Sequence, residues 1–273
     1  MEASTHRVFY YHADASAFGG QLTHPIERIV PTQASSSLAQ AGGHASSRIG
    51  PFRLDDIVSC DGAYTEIFGG VNKKNGAWTT LVTSVVEGLN LLEVVTADRV
   101  VSRVAVEHPR DGYYPKVSFV GSQFENLRIA GVKVNPVLDR DLLASPDENK
   151  FPDRSFIDDK SFIGKAIDQS RRMIEAETAP DWLRTRYSWV NSEEERKRKG
   201  YVLCSLVEQV EGARQGSSYG HVIHVPDFGN IFLGELSVTR NSFRLTMIRV
   251  EMGCIADGNL SFVTSTSNGM PMP

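Results

Sequence analysis

Residues 79–134 carry the strongest pattern in the chain: short runs of Val, Ile, Leu, Phe and Thr, broken by Gly, Asn and Asp. Such runs suit a pleated surface buried on one side. They predict strands at 81–86, 91–95, 98–106, 116–120 and 124–134. Alternation returns at 201–210, 220–225, 230–238, 242–251 and 258–266. Near the start, 6–13 reads as a first strand, followed by a Gly-Gly turn and a short strand near 25–30. Segments 52–60 and 63–68 read as two strands joined by an Asp61-Gly62 hairpin turn. The run 31–50 is rich in Ser, Ala and Gly with little apolar periodicity, so it predicts a surface loop.

The period changes in the middle of the chain. Across 159–178, Phe162, Ile163, Ala166, Ile167, Ser170, Met173 and Ile174 recur at helical spacing, with Asp158, Asp159 or Ser161 available as caps. A short second helix is expected at 192–198, acidic at its start, basic at its end and closed by Gly200. The expected fold is therefore all-β: an antiparallel β-sandwich of about ten to twelve strands, with a helical insertion at about 137–200. One amphipathic helix cannot bury a core alone, so 1–273 is expected to form a single β-sandwich domain with the insertion inside it.

Composition narrows the function classes only a little. The chain has 273 residues, 41% hydrophobic and 23% charged, with a net charge of −4. That balance gives no electrostatic case for nucleic acid. No stretch approaches the apolar length of a membrane span. The first twenty residues lack a basic start followed by an apolar run, so a cytoplasmic protein is expected. A surface or extracellular place stays open if the chain belongs to a longer one. Cys60, Cys204 and Cys254 are far apart and read as buried, reduced thiols.

Several segments together resemble one known family: SAFGGQL at 16–22, TTLVTSVVEGLNLLEVVTADRVVSRVAV at 79–106, GSQFENLRIAGVKVNP at 121–136, GNIFLGEL at 229–236 and FRLTMIRVEMG at 243–253. In this order they resemble the bacterial choice-of-anchor P family. The resemblance implies a β-rich, surface-associated protein of unassigned activity, and it supplies no catalytic residues. The chain departs from that pattern in lacking a leader and an anchor and in carrying the helical insertion.

Candidate chemistry is sparse. There is no Gly-x-Ser-x-Gly elbow and no phosphate-binding loop. His221, His224 and Asp227 form the one group that suggests a metal, and His108 is a distant fourth. The two His are three apart, so on a strand they point to opposite faces and need a turn to converge. Trp182, Arg184, Arg186, Tyr187 and Trp189 form an aromatic and cationic group suited to an interface or a glycan-stacking platform; the plainer expectation is that they pack the insertion onto the sheet. Asp55, Asp56, Asp61 and Glu66 read as solvated carboxylates near a turn. No cofactor is expected. The leading expectation is a non-enzymatic structural or interaction protein. It would self-associate as a homo-oligomer through strand edges and the aromatic insertion, with a protein or glycan as a further partner. The rivals are a metal-dependent hydrolase using His221, His224 and Asp227, and a carbohydrate-binding module using Trp182, Tyr187 and Trp189.

Overall fold

The structure is a computed structural model describing residues 8–24, 27–110, 115–143, 155–214, 217–253 and 256–272. Its principal strands are β1 (Ala13–His24), β2 (Arg28–Gln33), β3 (Gly43–Ile49), β4 (Gly62–Val71), β5 (Trp78–Leu91) and β6 (Val95–His108). Three helices follow: α1 (Lys160–Ile174), α2 (Asp181–Tyr187) and α3 (Glu193–Lys199). The chain then returns to strands β7 (Tyr201–Ser205), β8 (Val222–Val225), β9 (Gly229–Thr239), β10 (Phe243–Gly253) and β11 (Asp257–Ser267).

The strands build two large antiparallel sheets. In the first, the order runs from Ser218–Tyr219 through β8, β9, β10, β11 and β1 to β2, and β7 shares the β8 side of β9. In the second, β5 pairs β6 on one side. On its other side it pairs β4 and, further along, Val58–Cys60. β3 pairs β4 alone. The sheets face one another through β1, β10 and β11 on one side and β4, β5 and β6 on the other. The result is the expected sandwich. One apolar core joins Phe18, Leu22, Val86, Val100, Phe243 and Phe262 to Phe156, Phe162 and Val190 of the helical segment. A short ribbon, Val8–Tyr10 with Met270–Met272, closes one end by stacking Phe9 on Trp78 at 5.3 Å.

Both sheets carry a row where the in–out alternation slips by one residue. Along β9, Ile231 and Leu233 enter the core, and so do Leu236 and Val238; the slip falls at Gly234, with φ 62°. β10 slips between Met247 and Ile248, β11 at Val263 and β1 between Ala17 and Phe18. The registers align Gly234, Met247, Val263 and Ala17 in one row. The second sheet repeats the device. Asp61, Gly88 and Asp98 share a row, and β5 changes from Val82 and Val86 to Leu89 and Leu91 inward. Gly88 has φ 60°, and a Cβ there would lie 2.1 Å from Oδ2 of Asp61, so the row closes only with glycine. A left-handed residue turns the next side chain to the other face. Val263 does this at φ 59° as a β-branched residue, a strained choice costing about 1–3 kcal/mol.

Several expectations need correction. The Gly-Gly turn is strand, since Gly19 and Gly20 pair β11 within β1. Residues 31–50 are mostly strand: β2 ends at Gln33, Ser36–Ser37 pairs β1, and β3 pairs β4. Their small polar side chains suit a half-exposed edge, where apolar periodicity is not needed. Residues 91–95 are the β5–β6 hairpin turn, since Leu92 and Glu93 adopt φ 51° and 57° and Val94 N–H donates to Leu91 O at 2.9 Å. Asp61-Gly62 is a slip between two segments that both pair β5; the hairpin there is the tighter Phe52–Leu54 with Val58–Cys60. The strand expected at 124–134 is broken into Gln123–Glu125, Arg128–Ile129 and Val132–Lys133. Cys254 lies outside the described residues; Cys60 and Cys204 are buried free thiols, both pushed up in pKa by burial. No helix among the described residues is long and apolar enough to cross a membrane.

Candidate functional site

The helical segment lies on the outer face of the first sheet. Asp159 caps α1, its Oδ1 accepting from the backbone N–H of Ser161 at 2.7 Å and of Phe162 at 3.1 Å. After α1 the chain turns back into α2, which was not expected because seven residues carry too little periodicity. Arg184 holds that turn by donating to the carbonyls of Ile174, Ala176 and Ala179. Leu183 and Tyr187, one turn apart on α2, then join Met173, Val222 and Phe232 in a second buried cluster beneath the helices.

Beneath α2 sits a charged network. Phe232, Arg249 and Glu251 project outward because their neighbours Ile231, Leu233, Ile248 and Val250 project into the core. Glu235 lies beyond the slip at Gly234, and this brings it to the same face. Arg249 grips Glu235 with two nitrogens, Nε on Oε2 and Nη2 on Oε1 at 3.0 Å, while its Nη1 bonds Glu251. Arg186 of α2 completes the square, 3.1 Å from Glu251 and 3.6 Å from Glu235. Both guanidinium groups lie over the Phe232 ring, Arg249 at 3.8 Å and Arg186 at 4.5 Å from its centroid. The Tyr187 hydroxyl donates to Glu235 Oε1 at 3.1 Å and lies 3.1 Å from Nε2 of His221.

Two Arg balance two Glu, so the network is neutral only if Tyr187 and His221 are uncharged. Burial ensures both. It pushes the Tyr187 phenol well above its ordinary value, with Glu235 adding to the rise, and it pulls His221 down to about 4. Burial alone would raise Glu235, but the bonds and charge of Arg249 outweigh it and hold the carboxyl below its usual range. Since Tyr187 gives its proton to Glu235, a neutral His221 carries its own proton on Nε2, facing the Tyr187 oxygen. Its Nδ1 is then a buried acceptor without a partner among the described residues.

The sequence candidates separate in space. Arg186, Tyr187 and His221 enter the network. Trp182 meets Phe232 edge-on at 6.4 Å, and Trp189 meets Tyr201 at 5.1 Å with Lys199 over its ring at 4.9 Å. Tyr187 is buried, so the three rings do not share one exposed platform. His224 is half-buried, with its Nδ1 2.9 Å from Asn230 Oδ1, and Asp227 is exposed in the β8–β9 turn at φ 59°. His108 is buried against Phe9, and burial pulls it to about 4. Among the described residues no group of three or more His, Cys, Asp or Glu side chains is placed to hold a metal ion. Phe232, Glu235, Arg249 and Glu251 were missed. The signal of the last three was present as charges at outward positions in otherwise apolar strands.

The outer face of the second sheet bears a looser version of the same motif. Arg99 stands between Glu87 and Glu125, each at 3.6 Å, and donates to the Tyr64 hydroxyl at 3.1 Å. Around it Arg48, Glu66, Phe68 and Arg103 are exposed.

No curated protein and no solved structure matches the chain. A family model, described as a domain of unknown function (DUF8256), matches residues 9–239. That span takes in the second sheet, β1, β2 and β7–β9 of the first, the helical segment and the part of the network up to Glu235, and the chain belongs to this family.

Proposed function

We propose that this chain is a non-enzymatic structural or interaction protein that associates with copies of itself through the β3 edge. The supporting observation is a contrast among edges. Exposed strand edges template further pairing, and proteins usually blunt them by shortness, proline, charge or cover. Ser218–Tyr219 and Val132–Lys133 are two residues each, and β2 contains Pro31 and a register irregularity against β1. The edge of β7 is met by Gln169 of α1, which bonds both the N–H and the C=O of Ser205. β3 has seven residues, no proline and one pairing partner among the described residues. The reading rests on this edge rather than on Trp182 and Trp189, whose rings pack against the sheet. The resemblance to the choice-of-anchor P family, with its surface association, belongs to the same proposal.

Light scattering over a wide concentration range tests it. The expected mass is a multiple of 30.1 kDa, returning to the monomer value in Ser46→Lys, which places like charges at the edge. A monomer at every concentration overturns the proposal.

A further inference from the structure

We infer that the partner at the β3 edge is a second copy of β3, antiparallel about a two-fold axis through Ser46; this rests on the self-association proposed above. An axis normal to the sheet leaves every side chain on its own face. Paired residues must therefore share parity, and the axis must pass through a residue rather than between two. Of the allowed centres, Ser46 alone pairs all seven residues of β3: Gly43 with Ile49, His44 with Arg48, Ala45 with Ser47 and Ser46 with itself.

Charge and burial fit this register. Arg48 lies over the Tyr64 ring, 5.3 Å from its centroid, and makes no ion pair among the described residues. His44 Nε2 is 3.1 Å from Glu66 Oε1 on the neighbouring strand. In the paired state each Arg48 stands opposite the other copy's His44, whose ring contacts the Glu66 carboxylate lying diagonally behind it, opposite Ser46. The free guanidinium of each copy thus meets the acidic side of the other. Centring on Ala45 or Ser47 instead leaves strand residues unpaired and sets Ser46 opposite His44 or Arg48, losing both opposed pairs. The same row holds Phe68, which pairs His44 in register and is 49% exposed; the incoming Arg48 stem lies along that row.

Cysteine cross-linking separates this register from self-association as such. Directly opposed residues in an antiparallel pair lie within disulfide reach, whereas residues displaced by four positions are roughly 13 Å apart and cannot be bridged. On mild oxidation, with wild type as the control for native thiols, Ser46→Cys is expected to form a covalent dimer by itself. His44→Cys and Arg48→Cys are each expected to do so only when mixed together. An associating protein in which Ser46→Cys fails to cross-link, or His44→Cys cross-links alone, overturns the register and leaves the β3 association standing. A monomeric mass for wild type and all variants removes both.

Discussion

Arg249 and Arg99 are built from the same parts. Each stands between two glutamates beside an aromatic ring, one on each outer face of the sandwich. They differ in depth and in fit. The Arg249 side chain is 12% exposed and bonds Glu235 through two nitrogens; that of Arg99 is 34% exposed and keeps both carboxylates at 3.6 Å. The cause is the helical segment, which covers the first face and leaves the second open. Where water is excluded, an unpaired charge is costly, so the arrangement must be complete. Where water remains, solvent substitutes for any partner lost. The chain thus uses one set of residues as an anchor for α2 and as an open surface.

The largest effect expected of this contrast comes from breaking the covered side. Arg249→Met leaves Glu235 buried with its main partner gone and should destabilise by about 3–5 kcal/mol in denaturant unfolding. A loss below about 1 kcal/mol would show that the network is wet and that depth does not separate the two sites.

A somewhat smaller effect is expected on acidification. His221 binds its proton near pH 4 when folded and near 6.5 when unfolded. Below 6.5 the unfolded chain therefore takes up a proton that the folded chain refuses, and stability present at neutral pH is lost as pH falls toward 4. The loss attributable to His221 is about 3 kcal/mol at most. His108 and the lowered Glu235 act in the same direction. Unfolding free energies measured from pH 7 to 4 should fall less steeply for His221→Gln than for wild type. Parallel curves would mean that the imidazole is not held neutral.

The smallest effect belongs to the open side. Arg99→Met should change stability by about 0.5 kcal/mol or less, and added salt should diminish even that. A cost matching that of Arg249→Met would mean that the second face is covered in solution, and self-association would be the first explanation to examine by repeating the measurement at low protein concentration.

Much of the fold was legible because alternation is a local property. The strands at 230–238, 242–251 and 258–266 reappear as β9, β10 and β11, β9 and β11 longer at both ends and β10 shifted toward its C-terminal end. α1 was announced by Asp159 among its candidate caps, and α3 by its acidic start, basic end and closing Gly200. What stayed hidden depends on neighbours distant in sequence. β3 is a strand because β4 lies beside it, although its Ser, Ala and Gly residues favour no element. The hydrophobic run 91–95 turns a hairpin because β5 and β6 demand it. Of the network, Arg186, Tyr187 and His221 drew attention as unusual residue types. Their partners Glu235, Arg249 and Glu251 looked like ordinary outward positions, and only the docking of α2 on the sheet makes them meet.

The two rows of slipped alternation have a consequence for heredity. Beyond Gly88, Gly234 and Val263 the meaning of odd and even positions is exchanged, so each long strand is written in two reading frames. A substitution there alters one side chain, whereas a single-residue deletion between a row and a strand end would turn Leu236, Val238 or their counterparts out to solvent. Relatives of this chain are therefore expected to vary in residue type along these strands and to conserve length on either side of the rows. An alignment of family members with gaps scattered through β9, β10 and β11 would contradict that expectation. Length, more than identity, is what these strands have to transmit.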